Sequence, residues 1–296
     1  MKVFDCFMYF DEEVILDLRL NILNEYVDYF VIVESIFTHK GEKRELKFNN
    51  KKFEKFKDKI IYLIYDENPG EIRPVKKGDP DNLKTEKYIL NAGYRENGQR
   101  NHIIKGLNKA SENDMILISD VDEIPNLENL DFEKIDKKII LFEQVMFYYK
   151  FNLKLPNFKW FGTKSCKMKY LKNPQWLRNI KDRNYPFYRI DTLFSKTKYS
   201  NLKFITDGGW HFSNLKDAEA IKHKLKSYLH HSDYDQSPKT AEEINKIILD
   251  KRAIYNLKAD QRENKIGNGS KLEKYPLIKL PKYLQNNLDK YQEWFD

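Results

Sequence analysis

The sequence predicts an α/β fold: a single domain with a mostly parallel central sheet flanked by helices, mixed strands in the second half and a helical C-terminal portion. Three observations carry that expectation. Short, continuous apolar runs recur at residues 3–10, 29–33, 60–65 and 115–118, the pattern of strands covered on both faces. Helix-like segments separate them. The resulting strand–helix–strand order is how parallel sheets are built.

The elements follow in order. Residues 3–10 are apolar and aromatic, a first strand. Residues 12–26 carry Ile15, Leu18, Ile22, Leu23 and Tyr26 at helical spacing. Residues 29–33 (Tyr-Phe-Val-Ile-Val) and 60–65 (Ile-Ile-Tyr-Leu-Ile-Tyr) are further strands. Residues 66–81 hold Pro69, Gly70, Pro74, Gly78 and Pro80 and read as loop. Residues 86–110 read as helix, with Gly93 and Gly98 as candidate breaks and Ile103, Ile104, Leu107 and Ala110 as its later apolar stripe. Residues 115–118 form the fourth buried strand. Beyond it, 139–150, 160–170, 187–194 and 202–205 are aromatic and strand-like, and mixed or antiparallel pairing is expected. The end turns helical. Residues 216–231 are a basic amphipathic candidate, Pro238 suits a first helical position, Thr240 with Glu243 has capping-box spacing, and a last helix falls near 281–295. The expected organisation is 1–125 for ligand binding, 126–215 for catalysis and 216–296 as the helical portion.

Composition narrows the class. The chain has 53 basic and 45 acidic side chains, a formal charge of +8. Such a balance attracts phosphorylated ligands, anionic membranes or nucleic acid, but the Lys residues form no contiguous stripe and no nucleic acid is expected. Two lone cysteines, Cys6 and Cys166, make neither a zinc site nor a disulfide scaffold, and a reducing compartment fits. No stretch nears the roughly 20 apolar residues that span a bilayer.

The most informative segment is Met115-Ile116-Leu117-Ile118-Ser119-Asp120-Val121-Asp122-Glu123. A buried strand runs directly into carboxylates, and open α/β sheets bind ligands at the carboxyl ends of strands. Asp120 and Asp122, two apart, would point the same way on an extended backbone. Oxygen ligands of this kind suit Mg²⁺ or Mn²⁺ bridging to a phosphate. The plain alternative is an acidic turn after a buried strand.

Other segments join it. Arg95, Gln99 and Arg100 precede the acidic strand by one helix, and arginine clamps phosphate bidentately. In Thr206-Asp207-Gly208-Gly209-Trp210-His211-Phe212-Ser213, the glycine pair permits close approach or positive φ. Trp210 suits stacking on a sugar or base, and His211 could complete a metal site. Asp5 and Glu34 are candidate ribose or base ligands, or equally carboxylates satisfied internally.

These blocks together resemble glycosyltransferase family 17. The matching text is Phe4-Asp5-Cys6-Phe7, Arg19-Leu20-Asn21 within 13–23, Val27-Asp28-Tyr29-Phe30-Val31-Ile32-Val33-Glu34-Ser35, residues 56–61, Arg95-Glu96 with Gln99-Arg100-Asn101, Ile118-Ser119-Asp120-Val121-Asp122-Glu123-Ile124-Pro125 and Gly209-Trp210-His211-Phe212-Ser213, spread in order over roughly the first 230 residues. The resemblance implies a GT-A-like fold, a nucleotide-sugar donor (UDP-GlcNAc in characterised members), a glycan acceptor, Mn²⁺ or Mg²⁺, and inversion at the anomeric carbon. It places Asp120 and Asp122 at the metal and diphosphate position; His211, from its own setting beside the glycine pair, is a third candidate ligand. Asp5, Glu34, Arg95, Gln99, Arg100, Asp120 and Trp210 are the donor-binding set. Inversion needs a base, for which Asp207 comes first and Glu143 second. A catalytic core without a membrane anchor, in a microbial or viral-host cytoplasm, is expected; the lumenal part of an anchored enzyme is the alternative. Two competing functions share these features: a nucleotidyltransferase, disfavoured because residues 7–12 lack the glycines of a phosphate loop, and a non-catalytic carbohydrate binder.

Overall fold

The computed structural model describes residues 1–186, 188–227, 234, 237–257, 266–267 and 269–296. They form a mixed α/β architecture with two sheets. The first has seven strands in the order β10-β6-β9-β4-β1-β2-β3: β1 (Val3–Tyr9), β2 (Tyr29–Ser35), β3 (Ile60–Tyr65), β4 (Met115–Asp120), β6 (Ile139–Phe142), β9 (Lys164–Lys167) and β10 (Leu202–Ile205). The four runs read as buried strands pair in parallel as β3-β2-β1-β4. β9 is antiparallel to both β4 and β6, and β10 is parallel to β6, so the second half mixes directions as expected.

Side-chain alternation assigns each residue of β1 and β4 to a layer. On one face Val3, Phe7, Met115 and Leu117 join α1 (Glu13–Leu23), through Leu16, Leu20 and Leu23. On the other, Phe4, Cys6, Ile116 and Ile118 pack with Ile103, Leu107 and Leu177. Those three follow or belong to α2 (Asp81–His102) and α3 (Pro174–Asn179). By the same two-residue period, Asp5 and Ser119 face α1, while Asp120 faces α2 and α3.

The second sheet has the order β12-β8-β7-β11-β5, from β5 (Glu123–Pro125), β7 (Val145–Tyr148), β8 (Leu153–Lys154), β11 (Gly209–Ser213) and β12 (Glu273–Lys274). Short connections cross from sheet to sheet, β4 continuing into β5 through Val121-Asp122. β6 continues into β7 through Glu143-Gln144, and β10 into β11 through Thr206-Asp207-Gly208. The latter two crossings are stitched together by Glu143 N–H to Ile205 O at 2.9 Å and Gly208 N–H to Glu143 O at 2.8 Å. The glycine pair is required here. Gly209 has φ +133°, and a Cβ on it would sit 2.2 Å from Ile124 O. Helices α5 (Ala218–Ser227) and α6 (Ala241–Leu249) cover this sheet through Ile221, Leu225 and Ile244.

Several local expectations shift. α2 starts at Asp81 and runs unbroken through Gly93 and Gly98 to His102. Gly98 is needed for clearance, because a Cβ there would lie 2.2 Å from the Tyr65 hydroxyl. The region 187–194, expected as strand, holds a helical turn, α4 (Asp191–Phe194); Phe187 lies outside the described residues. Its aromatics lack the alternation a strand needs, and Thr192 N–H donates to Arg189 O, closing a turn. The Thr240–Glu243 capping box forms, with Thr240 as N-cap and Pro238 before the helix. Of the 216–231 helix, 218–227 is seen and 228–231 lie outside the described residues. The C-terminal helix near 281–295 is shorter than expected: α7 (Lys282–Gln285), then a 3₁₀ segment Asp289–Trp294.

Candidate active site at the carboxyl end of β4

The site grows from the turn that ends β4. Asp120 is the last strand residue, Val121-Asp122 turn, and Glu123 opens β5. Glu123 is fully buried. Its carboxylate accepts the Asp120 N–H at 2.7 Å, Trp160 Nε1–H at 2.6 Å and Arg178 Nη2–H at 2.6 Å. It therefore closes the turn rather than facing the ligand. From below, the fully buried Arg19 of α1 donates through Nη1 to the carbonyl oxygens of Asp120, Val121 and Glu123 at 3.0, 3.1 and 2.9 Å. The Phe212 N–H donates to Asp122 O from β11 at 2.9 Å. The backbone of the acidic turn is fixed on both sides.

The two aspartates have different company. Asp120 Oδ1 accepts from Arg100 at 3.0 Å and Oδ2 from Arg178 at 2.8 Å. Burial raises the cost of its charge, but these two guanidinium groups outweigh it and hold Asp120 well below the usual carboxylate range. Asp122 Oδ2 lies 3.5 Å from His211 Nε2 and 3.9 Å from Lys224 Nζ. Burial again opposes ionisation and His211 overcomes it, so Asp122 is also lowered. His211 moves up for the reciprocal reason, burial lowering it and Asp122 more than compensating.

Asp120, Asp122, Gln99 and His211 line one cavity of about 400 Å³ with Glu12, Glu96, Trp160, Arg178, Asn214 and Lys224. Across it, Arg44 lies 4.2 Å over the Phe10 ring. Two polar atoms on the β11 wall, His211 Nδ1 and Asn214 Nδ2, are buried with no hydrogen-bond partner among the described residues. Orphaned polar atoms of this kind are costly unless something else satisfies them.

Other residues expected in the site lie elsewhere. Asp5 is fully buried behind the turn, bound to Arg19 at 2.6 and 2.7 Å. Glu34 is fully buried and accepts from Arg44, the Lys47 and Phe48 N–H groups and the Tyr62 hydroxyl. These two carboxylates serve the interior, where a buried charge needs paired donors. Arg95 donates to the carbonyls of His39 and Lys40 and supports a loop. Arg100 reaches the site through Asp120 and is itself held by Glu96 at 2.8 Å and Gln175 at 2.5 Å. Trp210 packs in the core and donates to Lys279 O at 3.2 Å, so it offers no stacking face. Glu143 pairs with Lys159 at 2.9 Å in the sheet crossing, and Asp207 is an exposed turn residue with φ 51°. Neither is among the lining residues. Sequence reasoning missed Arg178, Lys224, Trp160, Glu12 and Asn214. Of these, only Asn214 carried a local signal, since it directly follows the Gly209-Trp210-His211-Phe212-Ser213 block.

A cluster of carboxylates and cations at the strand ends of an α/β sheet, in a cavity of small-molecule size, defines an enzyme site for a charged ligand. Residues 1–295 match the model for Glycosyltransferase family 17, and the chain belongs to that family. Among curated proteins it is similar to the β-1,4-mannosyl-glycoprotein 4-β-N-acetylglucosaminyltransferases of Homo sapiens and Rattus norvegicus, each 32% identical over 125 residues. That of Mus musculus is 31% identical over 125 residues. The matched segment is 41% of this chain and 21% of each relative.

Proposed function

We propose that the chain transfers a sugar, N-acetylglucosamine by preference, from a UDP-sugar to a glycan hydroxyl with inversion, through a GT-A-type site aided by Mn²⁺ or Mg²⁺. The observation that carries this reading is the convergence of Asp120, Asp122, Arg178, His211 and Lys224 on one cavity at the carboxyl end of β4, in a family 17 chain. The activity in the names of the mammalian relatives supports the choice of sugar.

The residues present fit a divalent ion. Asp122 and His211 bring an oxygen and a nitrogen to within 3.5 Å of each other on the cavity wall, His211 Nδ1 is buried without a partner among the described residues, and a cation held by the pair would take the place of the proton that Asp122 favours on the ring. Among the described residues no group of three or more side-chain ligands is assembled, so phosphate oxygens and water would fill the remaining positions, the usual arrangement for Mg²⁺. Bound there, the ion would neutralise charge developing on the departing diphosphate. Asp120, saturated by two arginines, serves instead to hold Arg178 at the cavity wall. Lys224 is kept charged, with its pKa raised despite burial because Asp122, Glu12 and Asp11 face it, and it adds a cation toward the diphosphate.

Inversion needs a carboxylate to take the acceptor proton as the hydroxyl attacks. Because Glu143 and Asp207 are not among the lining residues, Glu12 takes this role. It lines the cavity and uses Oε2 to accept the N–H groups of Phe10 and Asp11 at 3.2 and 3.1 Å. The test is UDP release from UDP-GlcNAc with Mn²⁺ and an oligosaccharide acceptor, with the product anomer read by NMR. Turnover with inversion is expected, and Glu12→Gln should lower kcat about a hundredfold or more while donor affinity persists. No release with any UDP-sugar overturns the transferase reading; near-normal kcat in Glu12→Gln removes Glu12 as base.

A further inference from the structure

Four of the six most exposed large apolar side chains of the described residues gather in one place, the other two, Leu249 and Ile278, standing apart. Tyr188, Ile190, Leu193 and Phe194 are 69%, 70%, 80% and 85% exposed, all within seven residues. Single exposed apolar residues are ordinary, but a contiguous set this exposed marks a contact surface. It stands on α4 and the turn before it.

Its surroundings are cationic. Residues 181–199 contain Lys181, Arg183, Arg189, Lys196 and Lys198 against Asp182 and Asp191. Arg183, Arg189 and Lys198 lie 5.9, 6.0 and 5.8 Å from the centroid of the Tyr185 ring. Asp191 binds Arg189 at 2.7 Å and Lys198 at 2.9 Å, which holds those two beside the apolar tip. The projection is anchored rather than loose: Lys181 N–H donates to Thr197 O at 2.9 Å and Trp176 Nε1–H to Lys196 O at 3.0 Å.

We infer that the described residues of 181–199 form a membrane-contact element that seats the protein on an anionic bilayer surface. Leu193, Phe194, Ile190 and Tyr188 enter the headgroup–acyl boundary, and the flanking Lys and Arg meet acidic headgroups. Aromatic and aliphatic residues on one side with Lys and Arg beside them is the chemistry of interfacial attachment, and each cation near an acidic surface adds to the attraction. A fluid bilayer also suits the shape. The apolar groups protrude from a short helix, so a protein partner would have to supply a matching hollow, whereas lipid deforms around them. The element continues from α3, whose Arg178 lines the cavity, so membrane contact would keep the catalytic pocket close to acceptors carried on that surface.

The test is vesicle flotation of the full chain, which needs neither donor nor turnover. Wild type should float with phosphatidylcholine vesicles containing phosphatidylserine and dissociate as salt rises. Leu193→Asp/Phe194→Asp should lose about a hundredfold or more in partitioning, since each buried side chain is worth about tenfold or more. Arg183→Glu/Lys196→Glu, which leaves the apolar tip intact, should lose binding selectively to the acidic vesicles. UDP release and melting temperature of both variants should match wild type. Failure of wild type to float, flotation of the Asp variant like wild type, or equal binding to neutral vesicles overturns the inference. So does a wild-type dimer in sedimentation that the Asp variant dissolves, which would make the patch an interface between two copies.

Discussion

Arg19 and Asp5 form a bidentate ion pair with both side chains fully buried, Nε to Oδ2 at 2.7 Å and Nη2 to Oδ1 at 2.6 Å. The same guanidinium donates to Ser119 Oγ at 2.5 Å and to three carbonyls of the acidic turn. One α1 side chain thus ties β1 to the end of β4. Arg19→Met leaves Asp5 as an uncompensated buried carboxylate and frees the carbonyls, at a cost of about 3–5 kcal/mol. Ser119→Ala removes one bond and should cost about 1 kcal/mol. Urea unfolding measures both. An Arg19→Met loss no larger than that of Ser119→Ala would refute the brace.

Asp122 is the proposed ligand through which a metal meets the donor, and its role separates cleanly from that of Asp120. Asp122→Ala removes the carboxylate facing His211 and should abolish Mn²⁺-dependent UDP binding in calorimetry, with the residual affinity indifferent to metal. Asp120→Asn keeps the shape but weakens the hold on Arg100 and Arg178, so its defect should persist at saturating Mn²⁺. Retained metal-dependent binding in Asp122→Ala would eliminate the proposed coordination.

Much of this arrangement was legible in the sequence. The runs now seen as β1, β2 and β4 are apolar on both faces and buried on both, as a covered parallel sheet requires, with carboxylates at the end of β4; β3, at the sheet edge, is only partly buried and leaves Ile64 exposed. The glycine pair 208–209 was legible because it stands where two backbones nearly touch. What failed was pairing across distance. Asp5 and Glu34 looked like crevice carboxylates, since nothing beside them announces that Arg19 and Arg44 are buried against them. Arg178 sits 58 residues from Asp120 in a six-residue helix with no periodic signal. Trp210 looked like a platform because an aromatic beside glycines suits one. Its packing in the core and the bond from its N–H to Lys279 O are tertiary facts.

Lys164 gives the site a pH signature. It stands on β9, 6% exposed, and donates through Nζ to Arg178 O at 2.6 Å and Ile180 O at 2.5 Å, so it holds the end of the helix that carries Arg178. Burial, with the Arg178 charge adding to it, pushes its pKa from 10.5 down to about 7. The sign follows. Below about pH 7 the lysine is charged in both folded and unfolded chains and the burial penalty is present in full. Between about 7 and 10.5 the unfolded chain binds more protons, so stability from this group rises with pH. The full gain is up to about 5 kcal/mol. Lys164→Met lacks this titration. The difference in unfolding free energy, wild type minus variant, should therefore climb steadily from neutral pH toward pH 10. It is measured by urea unfolding at a series of pH values with the ionic strength held constant. A difference that stays flat across that interval would mean that Lys164 keeps its ordinary pKa, with its ammonium solvated instead of sealed under α3.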